Sequence, residues 1–289
     1  ELGIAPGQFH IRDVNCPDDL ADGGYVEMAN RTGIDLQVID TPVWDLHPDQ
    51  FIWKEVPDGV WFKRIPYLWP VNAPGTFLLN IAKFKTHGMG LTLCAKNLQG
   101  TIAMNYQAHC RPYGEEMSGV REEDVWPTAE SEVFSNYLKH KEEGIPRWDK
   151  PGKYGGLWQE TWATRCLDNN SVTSAGLHII EGIYGRDGNF VEGPGEDGLA
   201  TDYMTNYIIF GKNPFHVDNI GHYLGCHEPG NFGLFHIARE RGLSAALNPK
   251  NIPVYLWEER GPRKVNLESL ERHPLSTYYL QKEDEPKFH

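Results

Sequence analysis

The sequence predicts an α/β protein: a mostly parallel sheet, or sheets, with helices on both faces. Three observations carry this expectation. Apolar runs long enough for buried strands alternate with segments of helical spacing, the later half repeats the strand and helix logic of the earlier half, and glycine- or proline-marked turns separate the runs. The expected organisation is one α/β unit over residues 1–270, with 1–150 and 151–270 as its two lobes and a cleft between them. Residues 271–289 read as a C-terminal surface extension.

Phe9 to Val14 reads as a strand, Tyr25 to Asn30 as a helix and Ile34 to Ile39 as a second strand, the β-α-β order of a parallel pair. Thr41 to Gly75 is dense in Pro, Trp and Asp and reads as a long ordered excursion. Trp44, Trp53, Trp61 and Trp69 there either line a pocket or pack into core and interface. Thr76 to Phe84 is the clearest central strand. Thr128 to Glu142 is a polar helix with Val133, Phe134 and Tyr137 at helical spacing, and a further helix covers Gly156 to Leu167. Then LHIIEGIYG and YMTNYIIFG are strands joined by the glycine-rich DGNFVEGPGEDG, NPFHVDNIGHYLG opens a helix on Asn-Pro, and NIPVYLWEE closes as a final strand.

With 289 residues, 40% hydrophobic, the chain can bury a sizeable core. A net charge of -13 repels phosphate backbones and no window has the roughly 18 uncharged apolar residues of a membrane span, so nucleic-acid binding and membrane insertion are not expected. The expected partner is an anionic small molecule, with a protein partner or a second copy as the other reading. Five scattered cysteines, Cys16, Cys94, Cys110, Cys166 and Cys226, contain no CxxC pair and argue against a zinc ribbon or an iron–sulfur cluster held by this chain alone. The opening at Glu1 without a leader is compatible with a cytoplasmic chain or an exported one whose leader has been removed. GxSxG, GxxxxGK[ST] and GxGxxG after a strand are all missing, which removes the commonest hydrolase, NTPase and dinucleotide readings.

The chemistry concentrates in IAKFKTHGMGLTLCAKNLQG, residues 81–100. Period two puts Lys83, Lys85 and His87 on the parity of Leu79 and Ile81, with Ala82 and Phe84 opposite. Cations at the carboxyl end of a strand stand where α/β sheets hold ligands. Gly88 and Gly90 permit an unusual backbone path, and Thr92 could cap a short helix whose free N–H groups attract an anion. Lys96, one turn on, could face the same cleft, and Asn97 could fix a carbonyl or amide. His87 is the first proton-transfer candidate and Lys85 or Lys96 the second, two neighbouring lysines lowering each other's proton affinity. The bland reading is that strand-end lysines snorkel to solvent.

NIAKFKTHGMGLTLCAKNLQG, followed by His109, resembles the family catalogued as domain of unknown function 362, in which a strand ending Lys-x-Lys-x-His precedes a Lys-Asn-x-x-Gly helix. EGIYGRDGNFVEGPGEDG, IIFGKNPFHVDNIGHYLG and IARERGL resemble that family's glycine-proline loop, its strand-to-helix Asp segment and its closing helix. The likeness covers about residues 76–110 and 176–258. It implies that strands ahead of Glu1 complete the first lobe, and that an iron–sulfur centre can sit on another domain or chain. KNLQGTIAMNYQAH also resembles the cofactor-lysine region of nickel-pincer lactate racemases, which implies Lys96 as cofactor-linked and His87 with His109 as an acid/base pair. The cofactor is left open.

In the later half His216, Asp218, His222, Cys226, His227, Glu228 and His236 are dense enough to invite a metal reading, which helix geometry tempers because His216 points away from the face of Asp218 and His222; no metal is expected, and His222, His216 and His227 are only the weak candidates. Asp218 and His222 are four apart and share a helix face, so a carboxylate could orient an imidazole; an exposed i,i+4 pair is the alternative. Glu181 at a strand end is an acid/base candidate, and GPGEDG (193–198) reads as a lid or turn. His10, His47, His140, His178, His273 and His289 have no constellation around them in the sequence.

These readings lead to an enzyme that binds an anionic small molecule or cofactor and moves protons with Lys and His, isomerase- or racemase-like chemistry included. The rivals are a non-catalytic binding or assembly protein with a structural anion, and a component of an iron–sulfur electron-transfer system.

Overall fold

The structure is a computed structural model that describes residues 3–14, 17–188, 192–193 and 195–276. Cys16, Pro194 of the 193–198 loop, His289 and most of the expected C-terminal extension lie outside the described residues.

The α/β character holds, but the large parallel sheet does not: among the described residues the strands form four small sheets. β1 (His10–Asp13) pairs in parallel with β2 (Asp35–Val38) across α1 (Pro17–Asp22) and α2 (Tyr25–Thr32). The Trp-rich excursion is a second unit of structure, an antiparallel hairpin of β3 (Phe51–Glu55) and β4 (Arg64–Leu68). Its Trp53, Trp61, Phe62, Ile65 and Tyr67 join one hydrophobic core, so the aromatics pack rather than line a ligand cavity.

The three-stranded sheet that positions the site runs β5 (Leu79–Lys85), β6 (Leu177–Arg186), β7 (Asp202–Gly211). β5 and β6 are parallel because a long crossover joins them, containing α3 (Leu93–Asn97), α4 (Ala129–Glu142) and α5 (Gly156–Val172). β6 and β7 are antiparallel, and that pairing is what defeats the expectation of a parallel sheet. Nor, among the described residues, does the sheet carry helices on both faces. α6 (Pro214–Leu224) and α3 cover one face, over Ala82, Phe84 and Ile180. On the other face Leu79, Ile81, Met204, Ile208 and Phe210 alternate with less exposed neighbours and stay exposed by about half.

α7 (Gly233–Glu240) packs on α5, and the expected closing strand, β8 (Val254–Glu258), pairs only with β9 (Gly261–Val265) in its own hairpin. The start of the expected surface extension is anchored instead: His273 and Leu275 donate backbone N–H groups to Leu224 and Gly225, and Leu275 is fully buried. Among the described residues no helix is long and apolar enough to cross a membrane.

Candidate functional site

Strict alternation along β5 ends at a register shift between Lys83 and Lys85. Before the shift Lys83 faces outward and pairs at 2.5 Å with Glu181, its cross-strand neighbour, whose second oxygen accepts from the Ile183 N–H. Lys83 and Glu181 therefore occupy each other on the open sheet face and lie apart from the other predicted site residues. After the shift Lys85 is half-buried and His87 buried.

His87 opens a tight turn in which its backbone and that of Gly90 exchange both hydrogen bonds. Its ring Nδ1 accepts the Met89 N–H at 3.1 Å. The turn requires both glycines. A Cβ on Gly88 would stand 2.2 Å from the Tyr154 ring, and Gly90 sits at φ 131°, with a Cβ there 2.7 Å from Phe232.

The helix end expected to hold a foreign anion is already occupied by a carboxyl group of the chain's own. The Cys94 and Ala95 N–H groups at the start of α3 donate to the two oxygens of Asp218 on α6, at 2.7 and 2.8 Å. Thr92 is buried but makes no side-chain cap, and Asn97 spends its amide on Asn80 and the Ile81 carbonyl. Nor does Asp218 orient His222. That imidazole instead bonds the Leu91 carbonyl through Nε2 at 2.7 Å and stacks near Phe232 and Phe235. The two residues share a face, as their spacing requires, and use it to clamp residues 91–95 onto α6. Burial pushes the Asp218 carboxyl up to about 8 despite its two N–H donors, and pushes His222 down to about 3. His216 is half-buried at the start of α6, and His227 bonds the Leu275 carbonyl, so the three proposed metal ligands do not converge.

The remaining basic groups do meet. Lys96, half-buried on α3, lies close enough to Lys85, His87 and His109 for its charge to lower the proton affinity of all three. Burial is the larger cause in each: it takes Lys85 down to about 8, with help from Lys96 and Arg186, and holds His87 and His109 neutral across the physiological range. His109 is fully buried, 5.7 Å ring to ring from Phe62, and neither ring nitrogen has a hydrogen-bond partner.

Sequence reasoning missed Arg165. It lies in α5, where nearly every residue from Gln159 to Asn169 is buried whatever its polarity, and it is 0% exposed. One guanidinium nitrogen donates to the His109 and Arg111 carbonyls, at 3.4 and 2.9 Å, and the group stacks 3.8 Å over Trp61. Its Nε and Nη2 have no acceptor, and it makes no ion pair among the described residues. Burial lowers its proton affinity to about 9. Asp168, one residue beyond the next turn's start on α5, fixes the platform beneath it by accepting the Val60, Trp61 and Phe62 N–H groups at 2.7 to 3.1 Å. The signal in the sequence was TWATRCLDNN itself, a helix with no polar stripe on one side and so no face to give to water.

Cys110 acts electrostatically on both Lys85 and Arg165 and stands on the wall of a cavity of about 340 Å³, with Gln99, Arg111 and Trp158 among its other lining residues. Cys94 and Cys166 are buried and Cys110 and Cys226 half-buried; among the described residues none joins a group of three converging metal-capable side chains.

A family model described as Domain of unknown function (DUF362) matches residues 7–222, well over half of the chain. No curated protein and no solved structure matches.

Proposed function

The chain belongs to the DUF362 family, and from that premise we propose that it binds an anionic small molecule or cofactor in the hollow between α3, α5 and the turn after β5. Lys96 and Arg165 neutralise the anion, and Lys85 exchanges a proton with it. The observation that carries this reading is the guanidinium of Arg165, fully buried with two donor nitrogens, Nε and Nη2, lacking an acceptor. Taking such a cation out of water without a counter-charge costs several kcal/mol, a cost an anion offsets on binding. The donors are already dehydrated, so each bond to an anion is stronger than it is in bulk water.

Lys85 is the proton carrier in this account because burial and its cationic neighbours bring its ammonium to about 8, near working pH. His87 and His109 are neutral hydrogen-bonding walls, a reassignment of the roles their sequence context suggests. Racemase- or isomerase-like proton exchange fits this set. One specific observation favours a purely structural anion: both histidines are held neutral by burial.

The test is thermal melting with inorganic phosphate and with malonate. Either anion should raise the melting temperature of the wild type, by about 2.7 kcal/mol of stability at a hundredfold excess over its dissociation constant, and leave Arg165→Met unmoved. An equal response of both proteins, or none from the wild type, removes the proposal. Deuterium gain by the bound molecule in heavy water, lost in Lys85→Met, separates turnover from structural binding.

A further inference from the structure

A second cluster stands outside the hollow, at the C-terminal end of α4. His140 and Glu143 are three apart and share a helix face, and Glu240 reaches them from the end of α7. One ligand atom from each lies within 4.8 Å of the other two, and among the described residues this is the group of three metal-capable side chains that converges. We propose that His140, Glu143 and Glu240 form a binding site for a divalent transition-metal ion of the Zn²⁺ class.

Three independent features point to a ligand rather than to a solvated acidic patch. The imidazole is 2% exposed, and its Nδ1 is held at 2.7 Å by Oε2 of Glu160, which also accepts the Trp148 indole N–H at 2.7 Å. A buried carboxylate on one ring nitrogen, fixing the tautomer and aiming the other nitrogen outward, is the support that metal-binding histidines use. Glu160 is 0% exposed and its Oε1 has no hydrogen-bond partner among the described residues, so the inner wall of the cluster keeps an acceptor that the protein leaves unsatisfied. Glu143 and Glu240 also border a cavity of about 470 Å³, with His236 and Arg239, which gives an ion its entry and room for water in the open coordination positions.

In this structure the position of the cation is approached by Lys139, whose Nζ is 2.5 Å from Glu240 and 3.9 Å from Glu143. His140 Nε2 is itself 2.9 Å from Glu240. An ion therefore has to displace one ammonium group from two carboxylates and release to water the proton between His140 Nε2 and Glu240, and the competition with the ammonium gives a diagnostic variant. One imidazole with two carboxylates selects Zn²⁺ over Ca²⁺ and Mg²⁺, which take oxygen ligands.

The test is calorimetric titration of ZnCl₂ into the whole chain. One ion per chain is expected, with Ca²⁺ failing to compete. Glu143→Gln and Glu240→Gln each weaken binding by about tenfold or more, and Lys139→Met tightens it by roughly threefold. Glu143 and Lys139 are half-exposed, so these variants test the site without opening the core. Absence of saturable Zn²⁺ uptake, Glu143→Gln matching the wild type, or Lys139→Met binding more weakly overturns the proposal. These outcomes leave the Arg165 hollow untouched, so the two sites stand or fall separately.

Discussion

Replacing Lys85 by Met tests whether its ammonium is held dehydrated among cations. Burial, Lys96 and Arg186 lower it from 10.5 to about 8. At about 1.36 kcal/mol per tenfold change in acidity, that fall corresponds to about 3.4 kcal/mol of unfavourable burial of the charged form. The folded chain holds fewer protons at this site than the unfolded chain between about pH 8 and 10.5, so its stability rises with pH through that window. Below pH 8 the cost is fully present. Methionine keeps the stem and removes the charge. Lys85→Met should be more stable than the wild type at pH 7, by up to about 3 kcal/mol, and the difference should fade towards zero near pH 10.5. Urea midpoints for the two proteins across pH 7 to 10.5 measure it, the titrations of groups distant from Lys85 cancelling in the difference. A variant less stable than the wild type at pH 7, or a difference independent of pH, would refute the placement of Lys85 in a dehydrated cationic hollow.

Two further predictions concern the frame around the hollow. Asp218→Asn puts an amide N–H₂ against one of the two backbone donors of α3, and should cost about 2–4 kcal/mol in a denaturant titration; a loss under 1 kcal/mol contradicts the clamp. Gly90→Ala places a Cβ at φ 131° and 2.7 Å from Phe232, and should cost about 1–3 kcal/mol, whereas a neutral result means that the turn relaxes freely.

Much of the fold was legible where local pattern decides it. The β1–α2–β2 order, the β5 and β7 strands and the Asn-Pro start of α6 follow from alternation and capping, with Asn213 accepting the His216 N–H as an N-cap should. The sheet's mixed direction was obscured by the β-α-β order of residues 9–39: the glycine-rich stretch before β7 reads as a loop, and a loop permits the antiparallel return that β6 and β7 make. At the site, the basic run and its glycines pointed to Lys85, His87 and Lys96 as neighbours, whereas His109 entered only through the family resemblance. The separation of Lys83 was not, because a register shift after it breaks the parity on which the reading depends. Asp218 and His222 share the predicted face, yet their partners lie more than a hundred positions earlier, at Cys94, Ala95 and Leu91. His140 shows the same limit: its partners Glu160 and Glu240 come from other helices, so no local constellation announced them.

The central claim is that the buried cations around Arg165 hold an anion, and the most direct measurement is mass spectrometry of what the chain releases on denaturation. The account predicts one anionic small molecule per wild-type chain and less than about a tenth of that from Arg165→Met, the loss that removing a charge-assisted bidentate contact entails. Release of the same molecule in equal amount from both proteins, or of none from the wild type, contradicts it.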